Sequence, residues 1–160
     1  MTDQGTRRNP SRIRRAREDE AAAISDLALR SKAMWGYPPA FVEACRAALT
    51  LTEEEIRQTP VYVHDGDTGV DGFYGLAGRP PRATLEYLFV DPVATRRGIG
   101  TKLLRHAVAV ACRLGFERIE VESDPNAEPF YERNGGVRIG EVESSVEAGR
   151  KLPLLLIDLR

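Results

Sequence analysis

From Ile99 to Leu114 the apolar side chains Leu103, Leu104, Ala107, Val108, Ala111 and Leu114 fall on one face of a helix, and Gly115 supplies a left-handed stop. A strand-like run, Thr84 to Val90, precedes this helix and another, Arg118 to Glu122, follows it. A helix between two strands returns the chain to the same end of the sheet, so the two strands run parallel, joined by a crossover. No all-helical or all-antiparallel architecture accommodates that unit.

The flanking segments predict an otherwise antiparallel sheet. Val61 to His64 and Val70 to Leu76 bracket Asp65-Gly66-Asp67-Thr68-Gly69, a reversing loop, and Asp91-Pro92 ends the third successive strand. Upstream, Arg12 to Ala16 reads as a short strand. Asp19 is placed to cap a helix bearing Ala23, Ile24, Leu27 and Ala28. Helices over Ala40 to Ala48 and from Thr52 to Arg57 follow, the latter opened by Thr-x-x-Glu. A short helix over Ala127 to Asn134 and closing strands over Val137 to Val142 and Leu152 to Leu159 complete an α/β chain. Its central sheet has six to seven mostly antiparallel strands with helices on both faces. A flexible polar tail over residues 1–11 and a single domain over 12–160 are expected.

With 160 residues the chain can bury roughly two-thirds of its unfolded surface, so a core needs no staples. Cys45 and Cys112 have neither CxxC nor Cys/His spacing, and no metal is expected. No apolar run reaches the ~18 residues of a membrane helix. Met1 to Asn9 is polar rather than signal-like, and a cytoplasmic chain without a membrane partner is expected. Net charge is −1 although Arg7, Arg8, Arg12, Arg14, Arg15 and Arg17 precede Glu18. No aromatic residue interleaves them as a stacking platform, so nucleic acid is not expected as a partner.

The helix over Ile99 to Leu114 opens on Arg96-Arg97-Gly98-Ile99-Gly100-Thr101. First-turn amides lack internal partners and the helix dipole adds positive charge, a setting for an anion. Gly98 and Gly100 remove side chains that would hold a phosphate off, while Arg96, Arg97 and Lys102 add charge. A diphosphate uses such a site more fully than a carboxylate does. Spacing excludes GxxxxGK[ST], and GxGxxG would need glycine at Leu103. The alternative for the glycine pair is close packing of the helix start on the strand.

The segment VDPVATRRGIGTKLL, Val90 to Leu104, resembles the acyl-CoA motif of the GNAT superfamily of N-acyltransferases, and NAEPFYERNGG, Asn126 to Gly136, resembles its second motif. Thr95 stands where the motif has glutamine or arginine, and Gly135-Gly136 where Gly-Phe often ends the second motif. The resemblance implies transfer of an acetyl group from acetyl-CoA to a primary amine, of a small molecule or a peptide, through a tetrahedral intermediate. A non-catalytic acyl-CoA-binding module is the alternative, and a homodimer is one assembly it allows. The resemblance also implies that Arg96, Arg97, Gly98, Ile99, Gly100 and Thr101 hold the diphosphate. It implies that Phe89 and Asp91 pair with pantetheine where the strands splay, that the Val90 amide meets the oxyanion, and that Asn126 touches the pantetheine arm.

An alkylammonium of pKa ~10.4 must lose a proton before it attacks, a cost of ~4–5 kcal/mol at neutral pH. Glu86, in phase with Thr84, Leu88 and Val90 by strand alternation, is the candidate base, or else an ion-pair partner. With Asn126, Phe130 and Glu132 in register, the resemblance implies Tyr131 as the acid for the leaving thiolate; otherwise it is a tyrosine packed on the sheet with its hydroxyl in water. Trp35, Tyr37, Phe73 and Tyr74 are candidate acceptor-pocket residues or core. His64 and His106 are solvent-facing or packing residues.

Overall fold

The computed structural model describes residues 12–95 and 97–160; the expected tail over 1–11 and Arg96 lie outside the described residues. In chain order the elements are β1 (Ile13–Arg15), α1 (Ala21–Ala33), α2 (Pro39–Ala44), α3 (Glu53–Gln58), β2 (Val61–Asp65), β3 (Val70–Arg79), β4 (Arg82–Val90), α4 (Ile99–Arg113), β5 (Arg118–Glu122), α5 (Glu128–Arg133), β6 (Gly136–Glu143) and β7 (Lys151–Asp158). The seven strands form one sheet in the order β1-β2-β3-β4-β5-β7-β6. Only β4 and β5 pair in parallel, the crossover that α4 demands.

Each face of the sheet carries its own core. Leu103, Leu104, Ala107 and Ala111 of α4 pack with Tyr131 of α5 on Tyr74, Leu76, Leu85, Ile119, Val121, Leu155 and Ile157. On the other face Ile24, Leu27 and Ala28 of α1 and Ile56 of α3 cover Val61, Val63, Phe73 and Tyr87. The inward stripe of α4 also uses Val110, while Leu114, expected on it, is 49% exposed because the helix ends at Arg113. Gly115 has φ 86°, the left-handed geometry of a helix stop.

The start of α1 differs from expectation. Asp19 does not cap it; a 3-10 turn over Glu18–Glu20 intervenes, and the Glu20 carboxylate accepts from the Arg17 amide at 2.8 Å and from Arg14 at 2.9 Å. Thr52 does cap α3, its hydroxyl oxygen accepting from the Glu55 amide at 3.1 Å. Neither cysteine forms a disulfide, and no described helix is long and apolar enough to cross a membrane.

Candidate active site

Parallel pairing between β4 and β5 is confined to Arg82–Thr84 against Arg118–Glu120. Beyond Thr84 the strands part, and β4 runs on to Val90 with one edge unpaired by β5. On its other edge, the Asp91 amide donates to the Asp71 carbonyl at 2.8 Å, next to the pair Gly72–Val90. Antiparallel alternation then turns the amides of Phe89 and Asp91 toward β3 and those of Leu88 and Val90 into the gap. The amides of Phe89 and Asp91, expected to pair with a ligand there, are committed to the sheet, and the Val90 amide faces the gap.

A bulge corrects the phase of Glu86. Gly75 lies opposite Tyr87 and Leu76 opposite Leu85, so Glu86 is an extra residue. Ala83 and Leu85 face α4, and so do Leu88 and Val90, which strict alternation would have put on the opposite side. Glu86 therefore shares a face with Thr84 but not with Leu88 and Val90. A glycine inside a strand was the available signal: a Cβ on Gly75 would stand 2.8 Å from Tyr87 Cδ2. Glu86 is solvent-exposed and makes no ion pair among the described residues. Partial burial, then the charges of Glu122 and Glu55, raise its pKa above the ordinary carboxylate value.

At the start of α4, the amides of Arg97, Gly98, Ile99, Gly100 and Thr101 donate no hydrogen bond among the described residues; the Lys102 amide is the first taken up, by Gly98 O at 3.1 Å. Gly98 has φ 73°, a left-handed cap that turns these amides outward. At Gly100 a Cβ would find only ordinary contacts, Phe130 at 3.5 Å and Val90 at 3.8 Å, so protein packing does not require glycine there. Gly100 thus stands between the first-turn amides and the Val90 edge, where a side chain would reach toward Phe130 of α5 and the end of β4. These features fit a diphosphate and its extended arm.

Tyr131 follows Phe130 on α5, their rings 5.1 Å apart in an edge-to-face contact. Only 7% of Tyr131 is exposed, and its hydroxyl has no partner among the described residues. Yet among the described residues no sealed side-chain polar atom goes unbonded, so this hydroxyl is not sealed from solvent. Burial pushes its pKa up and keeps it protonated.

Asn126, expected to touch a pantetheine arm, bonds within the protein through its side-chain nitrogen. Its side-chain NH2 donates to Tyr37 Oη at 3.0 Å and to Asp124 Oδ1 at 2.9 Å, which uses both amide hydrogens. Around Asp124 gather the Tyr37 hydroxyl (2.8 Å), Lys32 Nζ (2.5 Å) and, at 3.7 Å, Arg150. Burial alone would raise the Asp124 pKa; the hydrogen bonds from Lys32, the Asn126 amide and Tyr37 outweigh it and hold the carboxyl below its ordinary range. This cluster joins α1, the segment after β5 and the β6–β7 loop. Its three segments lie 24 to 118 residues apart in sequence, and no motif links them.

Helix α1 thereby touches both lips of the gap: Arg30 donates to Asp91 at 2.8 Å beyond β4, and Lys32 to Asp124 beyond β5. Of the aromatic candidates, Tyr37 is in the cluster and Trp35 is 44% exposed. Tyr74 is corrected: it is fully buried under α4, stacked on Tyr62, with its hydroxyl against His106 Nδ1 at 2.7 Å. Phe73 is core. His64 is buried against Asp71 at 2.5 Å.

A parallel pair that parts beside a glycine-opened helix is the frame of an acyl-CoA-dependent transferase. The family model described as Acetyltransferase (GNAT) family matches residues 22–136, and the chain belongs to that family, an enzyme family of N-acyltransferases. Its fold is shared by the PaiA N-acetyltransferase of Thermoplasma acidophilum in complex with coenzyme A (TM-score 0.76, 18% identity, 91% of this chain and 97% of that one). It is shared too by the ribosomal-protein-S18-alanine N-acetyltransferase of Escherichia coli (0.68, 16%, 92% of each) and an N-acetyltransferase of Staphylococcus aureus Mu50 (0.66, 20%, 92% and 98%). A search of the curated proteins finds no match to this sequence.

Proposed function

We propose that the chain transfers an acetyl group from acetyl-CoA to a primary amine by direct attack of the amine on the thioester carbonyl. The observation that carries this reading is the row of unpartnered amides from Arg97 to Thr101, continuous past Gly100 with the unpaired edge of β4. The amides, with Arg97 and Lys102, hold the diphosphate; Arg96 adds charge from the same segment. The Leu88 and Val90 backbone carries the pantetheine arm as an added strand, and the Val90 N–H stabilises the oxyanion.

Glu86 takes the proton from the incoming ammonium, through water where the distance demands it, and its raised pKa brings it closer to that task than an ordinary carboxylate. Tyr131, buried and protonated, gives a proton to the departing thiolate. A non-catalytic acyl-CoA-binding module has no use for that free hydroxyl, so the enzyme is the better reading. A neighbour of the same fold is bound to coenzyme A and another is a protein N-acetyltransferase, which supports the chemistry without selecting the acceptor.

The test is thiol release from acetyl-CoA over polyamines, amino acids, aminoglycosides and peptide N-termini. Turnover with at least one amine is expected; tight acetyl-CoA binding with no release from any amine would favour the binding module. As a base, Glu86 acts only when ionised, so the rate rises with pH through a pKa above the ordinary carboxylate value. Glu86→Gln removes that limb, and an unaltered pH–rate profile would end the assignment.

A further inference from the structure

The polar cluster after β5 has more positive charge than its own bonds consume. Arg150 is stacked on two rings, its guanidinium 4.6 Å from the Phe41 centroid and 4.9 Å from that of Tyr37, and Nη2 donates to Tyr37 Oη at 2.7 Å. Its side chain is 17% exposed. Nε and Nη1 make no hydrogen bond among the described residues, and neither is sealed from solvent. A planar fork held rigid by stacking, with one edge spent and another open, is the geometry that takes a carboxylate through two parallel bonds. Lys32 stands over the same rings, 5.2 Å and 5.9 Å from their centroids. Against these two cations only Asp124 is bonded, and the nearby Glu147 makes no ion pair among the described residues.

The position of the cluster ties it to the gap. Asp124 is two residues past the end of β5, and Tyr37 and Phe41 come from the chain just after α1, the helix that covers the face opposite α4 and α5. A cofactor arm running past Gly100 enters from the α4–α5 face, which leaves the α1–α2 face to the acceptor. On β4, the other lip of the gap, Glu86 makes no ion pair among the described residues and lies in the field of Glu122, at the end of β5, and of Glu55. The acceptor side thus offers a partly open guanidinium from the β6–β7 loop and an unpaired carboxylate from β4.

We propose that the acceptor is an amine that also carries a carboxylate, as a free amino acid does, with its carboxylate on the open edge of Arg150 and its ammonium toward Glu86. This rests on the acetyl-transfer reading and narrows it. A polyamine would bring positive charge to Arg150 and Lys32 and is disfavoured by that repulsion.

The experiment compares thiol release from acetyl-CoA with each of the common amino acids, with the matching α-amide, which keeps the ammonium and lacks the carboxylate, and with spermidine. For the best acceptor, kcat/KM of the acid should exceed that of its amide at least tenfold. Arg150→Met, which keeps a side chain over the rings, should collapse this ratio toward one; Lys32→Met, checked for folding by its thermal midpoint, should lower it in the same direction. Faster turnover of spermidine or of the amides overturns the inference and leaves acetyl transfer standing, as does an acid-to-amide ratio indifferent to both variants. Release from no amine at all despite acetyl-CoA binding overturns acetyl transfer, and this inference with it.

Discussion

The two faces of the sheet are built by different means. On the α4–α5 face, one amphipathic helix buries a continuous apolar stripe, and its first turn presents free amides beside a strand edge. On the α1–α3 face the apolar core runs along β4 as far as Phe89, and the lips of the gap are joined by ion pairs and hydrogen bonds from α1, the segment after it and the β6–β7 loop. Apolar packing gives a fixed cradle suited to a ligand common to a whole family. Polar contacts between distant segments are exchanged one residue at a time, which suits the side that must distinguish one amine from another.

If that division is right, the largest effect belongs to the fixed face. Tyr131→Phe should slow the chemical step by about 10²–10⁴-fold with acetyl-CoA affinity intact, measured by single-turnover kinetics and equilibrium binding. An unchanged rate would strip α5 of its chemical role. Leu103→Ala, a fully buried change, should cost about 2–5 kcal/mol in denaturant unfolding.

On the polar face, Asp124→Asn leaves Lys32 and Arg150 without their carboxylate and should cost about 1–3 kcal/mol. The pH dependence follows from the lowered pKa: the contribution of Asp124 is complete above its unfolded value and lost as pH falls through its folded one. Unfolding curves of wild type and variant should therefore converge in acid; a constant gap would contradict the ion-pair account. The smallest effect separates binding from stability. Gly100→Ala meets only ordinary contacts, so the thermal midpoint should hold or rise, while acetyl-CoA binds about tenfold more weakly, a loss of ~1.4 kcal/mol. An affinity as tight as wild type would mean that the cofactor does not pass Gly100.

What could be read from the sequence follows the same division. Helix α4, its stop at Gly115 and the strands beside it were legible because burying one face imposes a period of 3.6 or 2 on the residues themselves. The first-turn amides were legible because glycine at 98 and 100 leaves a helix start without covering side chains, although close packing on the strand was the alternative. Glu86 was misphased because one inserted residue resets alternation without changing composition, and only Gly75, on the neighbouring strand, hinted at it. Asn126 and Tyr37 are 89 residues apart, and their hydrogen bond leaves no periodic trace in the chain. Tyr74 looked like pocket lining because an aromatic in a strand serves either face; its partner His106 was needed to choose.

The paired attachments of α1 to the lips of the gap are unequal. Arg30 is 52% exposed in its pair with Asp91, whereas Lys32 is 15% exposed in its pair with Asp124. Mobile ions weaken the first far more than the second. Raising ionic strength would then slacken the rim of the entrance on its β4 side alone, while Ile24, Leu27 and Ala28 anchor the helix to the sheet.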